Sequence, residues 1–214
     1  MQSTFMKENI EYLKDLRDVK QLMERSSKFI SLSGLSGVMA GLYALVCAYL
    51  VYQNMYQETD YGGGGQRILF VSSVNSQMMF IYGLSSLVLA FATFFYLTLK
   101  KAKRNQLKVF GKPAFQLFYS LLTPLVVGGL VCLILISNGE ILYIAPLTLI
   151  FYGLALINAS QFTYSDIKGL GFVQCILGII SLYFIGYGLV FWSLGFGVSH
   201  IIYGVIMYRK YDKQ

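Results

Sequence analysis

Five stretches of the chain contain no Asp, Glu, Lys or Arg: 29–57, 68–99, 113–139, 141–165 and 169–208. An α-helix rises ~1.5 Å per residue, so ~20 residues cross ~30 Å of hydrocarbon, and each of the first four stretches predicts one spanning helix. The fifth would be about 60 Å long as a single helix, about twice the membrane. Ile185-Gly186-Tyr187-Gly188 supplies a turn that folds it back, so it predicts two helices. The expected helices are 29–52, 78–99, 116–136, 141–160, 170–187 and 190–208. The predicted fold class is all-α, a polytopic membrane protein with six transmembrane helices arranged as three hairpins.

Residues 1–28 follow a different pattern. Phe5, Met6, Ile10, Tyr12, Leu13, Leu16, Val19 and Met23 fall on one broad face at 100° per residue, and the charges mostly oppose it. The expected organisation is therefore an amphipathic cytoplasmic helix (1–28), a six-helix bundle (29–208) and a cytoplasmic tail (209–214). Glu8, Glu11, Asp15, Asp18 and Glu24 among the basic residues argue against a purely cationic membrane-surface helix. Three readings stay open: a helix at the interface, a helix packed under the bundle, or a short helix that makes a homo-oligomer.

Composition removes other classes. With 214 residues, 56% of them hydrophobic and 16% aromatic, the spans and their connections use nearly the whole chain, and no soluble catalytic domain fits. Lysine and arginine gather at 1–28, 100–112 and 209–213, with Lys168 between the fourth and fifth spans, whereas the opposite side carries only Arg67. Basic segments resist translocation, which predicts a bacterial inner-membrane protein with both termini cytoplasmic and a mildly acidic outer side bearing Glu58, Asp60 and Glu140. The net charge of +7 is then a topology signal, and its expected partners are the lipid bilayer and anionic headgroups at the cytoplasmic face rather than nucleic acid. The polar start lacks a signal-peptide pattern, so the first helix is expected to remain as an anchor.

Few residues could carry chemistry. His200 is the single histidine, and inside a membrane it needs a polar partner, for which Asn158, Gln161 and Gln174 are the candidates. It reads either as a proton or pH site or as a neutral polar contact between helices. Cys47, Cys132 and Cys175 fall inside spans and read as packing residues, and one histidine with scattered cysteines supplies no metal site and no cofactor site. Ser199 and His200 are neighbours about 100° apart on a helix and cannot pair as nucleophile and base. Pro124 and Pro146 are expected to kink the third and fourth spans. The tetraglycine Gly62 to Gly65 lacks the lysine and Ser/Thr of a phosphate loop and reads as a flexible connection.

Small residues recur at helical spacing. Ser33, Gly37 and Gly41 are four apart; Gly34, Gly41 and Ala48 are seven apart, as are Gly171 and Gly178, and Gly197 and Gly204. Such seams let backbones approach, and the first, fifth and sixth helices are expected to pack together through Gly37, Gly41, Gly178, Gly197 and Gly204. Phe80-Ile81-Tyr82-Gly83-Leu84, Ile150-Phe151-Tyr152-Gly153-Leu154 and Val190-Phe191-Trp192-Ser193-Leu194 also suggest a two-helix unit repeated three times.

The segment Gly171-Phe172-Val173-Gln174 through Leu177-Gly178-Ile179-Ile180 to Trp192-Ser193-Leu194-Gly195-Phe196-Gly197 and Ile202-Tyr203-Gly204-Val205 resembles the two-helix repeats of HdeD-like acid-resistance membrane proteins. Around Ser26–Gly34 and Tyr152–Ser160 the chain is similar to uncharacterised six-helix inner-membrane proteins of Bacteroidota. These resemblances imply a small inner-membrane protein of three hairpins with a stress-related role, and no active site. The leading expectation is a non-enzymatic protein with a structural or regulatory role. The alternative is a small transporter or channel for protons or a small neutral solute, lined by His200, Asn158 and Gln174.

Overall fold

The computed structural model describes residues 29, 32–57, 70, 71, 73–104 and 111–213. The expected amphipathic helix at 1–28, the tetraglycine and Arg67 lie outside the described residues. Helix α1 is Gly34–Met55, α2 Ser73–Arg104, α3 Lys112–Ser137, α4 Ile144–Ala159 and α5 Ile167–Tyr183. Single 3₁₀ turns, Ile141–Tyr143 and Ser160–Phe162, flank α4. The last rod, α6, runs over Gly188–Asp212, with π-helical turns at Ser193–Ser199 and Tyr208–Asp212 interrupting its α-helical course. Two-residue strands, β1 (Tyr56–Gln57) and β2 (Phe70–Val71), pair antiparallel between α1 and α2. The described chain is otherwise helical and turn. Five of the rods are long and apolar enough to cross a membrane, and α5, at 17 residues, is shorter.

Helix limits depart from the charge-free windows where backbone groups find other partners. Residues 29, 32 and 33, before α1, are not helical: Phe29 N–H donates to Phe162 O at 2.7 Å, and Thr163 Oγ1 donates to Phe29 O at 2.7 Å. At the other end of the chain, the residues expected as a tail continue α6 to Asp212, whose side chain is held inside the fold. Pro146 is the third residue of α4, near the helix start where backbone N–H groups lack intrahelical acceptors, so its missing N–H costs little there. Pro124 does lie within α3. Gly139 and Gly186, at φ +80° and +104°, turn the chain between α3 and α4 and between α5 and α6, in a region that L side chains avoid.

Close packing follows the glycines. Helix α1 packs on α2 and α6, and α4 packs on α3 and α5. Along α1/α6, a methyl on Gly41 would lie 2.6 Å from Gly197 O, and one on Gly204 would lie 2.7 Å from Gly34 O. Along α4/α5, a methyl on Gly153 would lie 2.7 Å from Gly171 O, and one on Gly178 would lie 2.8 Å from Pro146 O. Backbones meet here because glycine leaves no side chain between them, so dispersion contact between bare helix surfaces favours these pairings.

The single seam expected for the first, fifth and sixth helices is thus two seams. Gly37, Gly41, Gly197 and Gly204 belong to α1/α6, whereas Gly178 faces α4. Glycine spacing marks a low face on α5 but not its partner. That partner is the surface of α4 around Gly153 and the buried Pro146.

Replacing Gly204 or Gly41 with alanine is expected to destabilise the bundle by about 1–3 kcal/mol through overpacking. Gly83 and Gly129 face open space, and alanine there should be neutral or slightly stabilising. Reversible unfolding in mixed micelles reads the difference, and equal tolerance at all four positions would contradict the seams.

Candidate functional site

Two polar clusters stand out in an otherwise apolar bundle. The first surrounds His200, on the turn of α6 that follows the π-helical segment. The Gly195 carbonyl lies in the π turn, and two side chains use it: Gln174 Nε2 donates at 2.8 Å and His200 Nδ1 lies at 3.0 Å. A carbonyl only accepts, so Nδ1 carries the imidazole proton. The other ring nitrogen then accepts, and the Tyr152 hydroxyl donates to Nε2 at 2.9 Å. The 3.4 Å separation between Gln174 Nε2 and His200 Nδ1 is therefore two donors converging on one carbonyl, not a bond between them. The imidazole is satisfied on both sides as a neutral ring.

The surroundings are tight and aromatic. His200 and Gln174 are buried, and the imidazole stacks on Tyr152 at 5.4 Å and on Phe196 at 5.9 Å. Phe196 in turn meets Trp192 at 5.0 Å. Gln174 Oε1 has no hydrogen-bond partner and rests against Gly195, where a methyl would come within 2.5 Å of it. Glycine at 195 thus makes room for the amide.

Of the four polar residues singled out in the sequence, the structure brings His200 and Gln174 together and leaves two apart. Asn158 is exposed on α4 and donates to Ser120 O on α3 at 3.1 Å, about 240° round the helix from Tyr152. Gln161 is exposed in the turn after α4. Tyr152 was missed, because nothing but the fold separates it from the chain's 16 other tyrosines. Cys175 spans α4/α5, with Sγ 3.7 Å from Ile150 O.

The second cluster closes the end where the lysine-rich helix termini gather. Lys101 Nζ lies 2.6 Å from Asp212 Oδ1, and each side chain is 7% exposed. The ammonium also donates to Leu32 O at 2.7 Å and to the Tyr164 hydroxyl at 3.5 Å. The other carboxylate oxygen accepts from Gly34 N at 2.9 Å and Ser33 Oγ at 3.1 Å. Asp212 therefore does for α1 what an N-cap residue does, taking an orphan N–H at the positive end of the helix dipole. Arg104 adds a 3.3 Å bond to the Asp212 carbonyl.

A second, more exposed pair lies beside it. Lys210 Nζ and the Tyr211 hydroxyl both donate to Asp166 Oδ2, at 2.8 and 2.6 Å. These two hydrogen bonds hold the Asp166 carboxyl below its ordinary value, more than burial raises it. The Tyr164 ring stacks on Tyr211 at 4.0 Å, and burial, with Asp212 and Tyr211 nearby, pushes its hydroxyl up to about 12. Among the described residues no group of three metal-ligating side chains converges. Comparison with known proteins returned no matching family model, no matching curated protein and no matching solved structure.

His200→Gln should keep the polar contact and stay within about 1 kcal/mol of the parent, whereas His200→Leu leaves the Tyr152 hydroxyl without its acceptor and should cost more, about 1–3 kcal/mol. Unfolding of both variants in the same detergent decides it, and equal losses would remove the hydrogen-bond account. For Asp166, a folded value below the ordinary 3.8 means that its pair stabilises fully above that pH and that the benefit is lost as pH falls through the lower, folded value. Melting scans from pH 6 down to pH 3 should show a steeper acid-side loss in the parent than in Asp166→Asn, and parallel curves would contradict the pairing.

Proposed function

We propose that this chain is a bacterial inner-membrane protein with a structural or regulatory role rather than a catalytic one. In this reading its six helices cross as three hairpins, with the lysine-rich end toward the cytoplasm. One observation carries the choice of role. The polar groups around His200 close on one another, Tyr152 to His200 to Gly195 to Gln174, beside the Phe196 and Trp192 rings, and within this cluster only Gln174 Oε1 is left without a partner. A relay needs a proton acceptor beyond the imidazole, and here Nδ1 donates to a backbone carbonyl that cannot pass a proton on. The stress-related part of the proposal rests on the resemblance of residues 171–205 to HdeD-like repeats.

Orientation is supported by the distribution of charge: Lys100, Lys103, Arg104, Lys112, Lys168 and Arg209 lie at one end, and Glu140 lies at the other. On a background with Cys47, Cys132 and Cys175 replaced, a cysteine at Ser165 should react with a membrane-impermeant thiol reagent only from the cytoplasm, and one at Asn138 only from outside. The opposite pattern overturns the orientation. Proteoliposomes loaded with a pH-sensitive dye should show no proton flux above protein-free vesicles under an imposed potential. A flux abolished by His200→Gln would replace the structural role with transport.

A further inference from the structure

Between α1 and α2 lies an open groove of about 450 Å³ lined by Leu35, Met39, Ala92, Thr93, Tyr96 and Leu97. Its lining is almost entirely apolar, and the Thr93 hydroxyl is already engaged with Tyr43 at 3.2 Å. Helix α2 continues unbroken beyond the groove to Arg104. At 100° per residue, Ala92, Thr93, Tyr96 and Leu97 centre on one direction, and Lys100, Lys103 and Arg104 all fall within about 60° of it. Lys101 falls outside that sector and turns inward to Asp212. Lys100 lies about 6 Å further along the axis than Tyr96.

Charge bookkeeping at this end names the occupant. Asp212 is taken by Lys101 and Asp166 by Lys210, so among the described residues at this end no carboxylate is left to neutralise Lys100, Lys103 and Arg104, all of them exposed, and Arg104 has one bond, to the uncharged Asp212 carbonyl. An apolar trough that ends under three cations matches an amphiphile with one hydrocarbon chain in the groove and a negative charge at the membrane surface. We infer that the α1/α2 groove binds an anionic phospholipid, an acyl chain lying against Met39, Ala92 and Leu97 and the phosphate held by Lys100, Lys103 and Arg104. This rests on the membrane-spanning reading above and adds to it a defined lipid site.

The test uses the full-length protein with Trp192→Phe and a reporter tryptophan at Tyr96, or at the lipid-facing Leu130 of α3 for comparison. The probes are phosphatidylglycerol and phosphatidylcholine with brominated acyl chains, titrated in nanodiscs. Position 96 should be half-quenched at about fivefold less phosphatidylglycerol than phosphatidylcholine, the weight of about one lysine contact. Position 130 should be quenched alike by both, and Lys100→Gln with Lys103→Gln should erase the preference at 96. Equal quenching by both lipids at 96, or the same preference at 130, overturns the site while leaving the spanning reading intact. Quenching by both at 130 and neither at 96 means that a second copy or another part of the chain fills the groove, and also overturns it. Absence of quenching at either position contradicts the spanning reading itself.

Discussion

The ion pair between Lys101 and Asp212 is the interaction on which the remaining architecture turns. It joins residues 111 positions apart and fixes three helix termini at once: the start of α1 through Gly34 and Ser33, the end of α2 through Lys101, and the end of α6 through Asp212. A buried charge left alone costs several kcal/mol, so the pair is tolerable only because its neighbours satisfy it. Here the ammonium has three acceptors and the carboxylate has three donors, including the N–H at the positive end of α1. The pair specifies a geometry more than it supplies stability. It can form only when α1, α2 and α6 have the registry that the glycine seam of α1/α6 also requires.

From that end the rest follows in order. The seam holds α6 against α1 closely enough for the Asp212 carboxylate to reach Gly34. The same rod then presents its π turn to α4 and α5, where Gly195, His200, Tyr152 and Gln174 join the two packed groups of helices. A π turn places one more residue per turn and leaves carbonyls without their usual intrahelical donors, which is why such turns accompany polar sites. In this chain the Gly195 carbonyl within that turn takes up both side-chain donors, and no polar group except the Gln174 oxygen is left over in the cluster.

Much of the helical architecture was legible because the absence of charge is a long-range signal that needs no knowledge of contacts. The turn at Gly186 and the low faces of α1, α5 and α6 were legible for a similar reason, since glycine at helical spacing has few other uses in an apolar helix. Which low face meets which was not. Gly178 meets Pro146 because of the order in which helices pack, and nothing along α5 states that order. His200 and Gln174 were legible as polar residues in apolar runs, but Tyr152 was not, because a tyrosine among many aromatics shows no need for a partner. Lys101 and Asp212 were hidden by their positions. Each sits beside exposed lysines and arginines at the end of an apolar run, where charge reads as orientation, and only the fold turns these two inward.

Lys101 and Asp212 act as a unit, and a double-mutant cycle separates that coupling from two independent charges. Unfolding free energies of the parent, Lys101→Met, Asp212→Asn and the double variant are measured in one detergent. Each single variant should lose about 3 kcal/mol, because it strands the other buried group, and the double variant should lose less than the sum of the two by at least about 1.5 kcal/mol. Losses that add, leaving no coupling between the positions, would show that the two charges are neighbours without being a clasp.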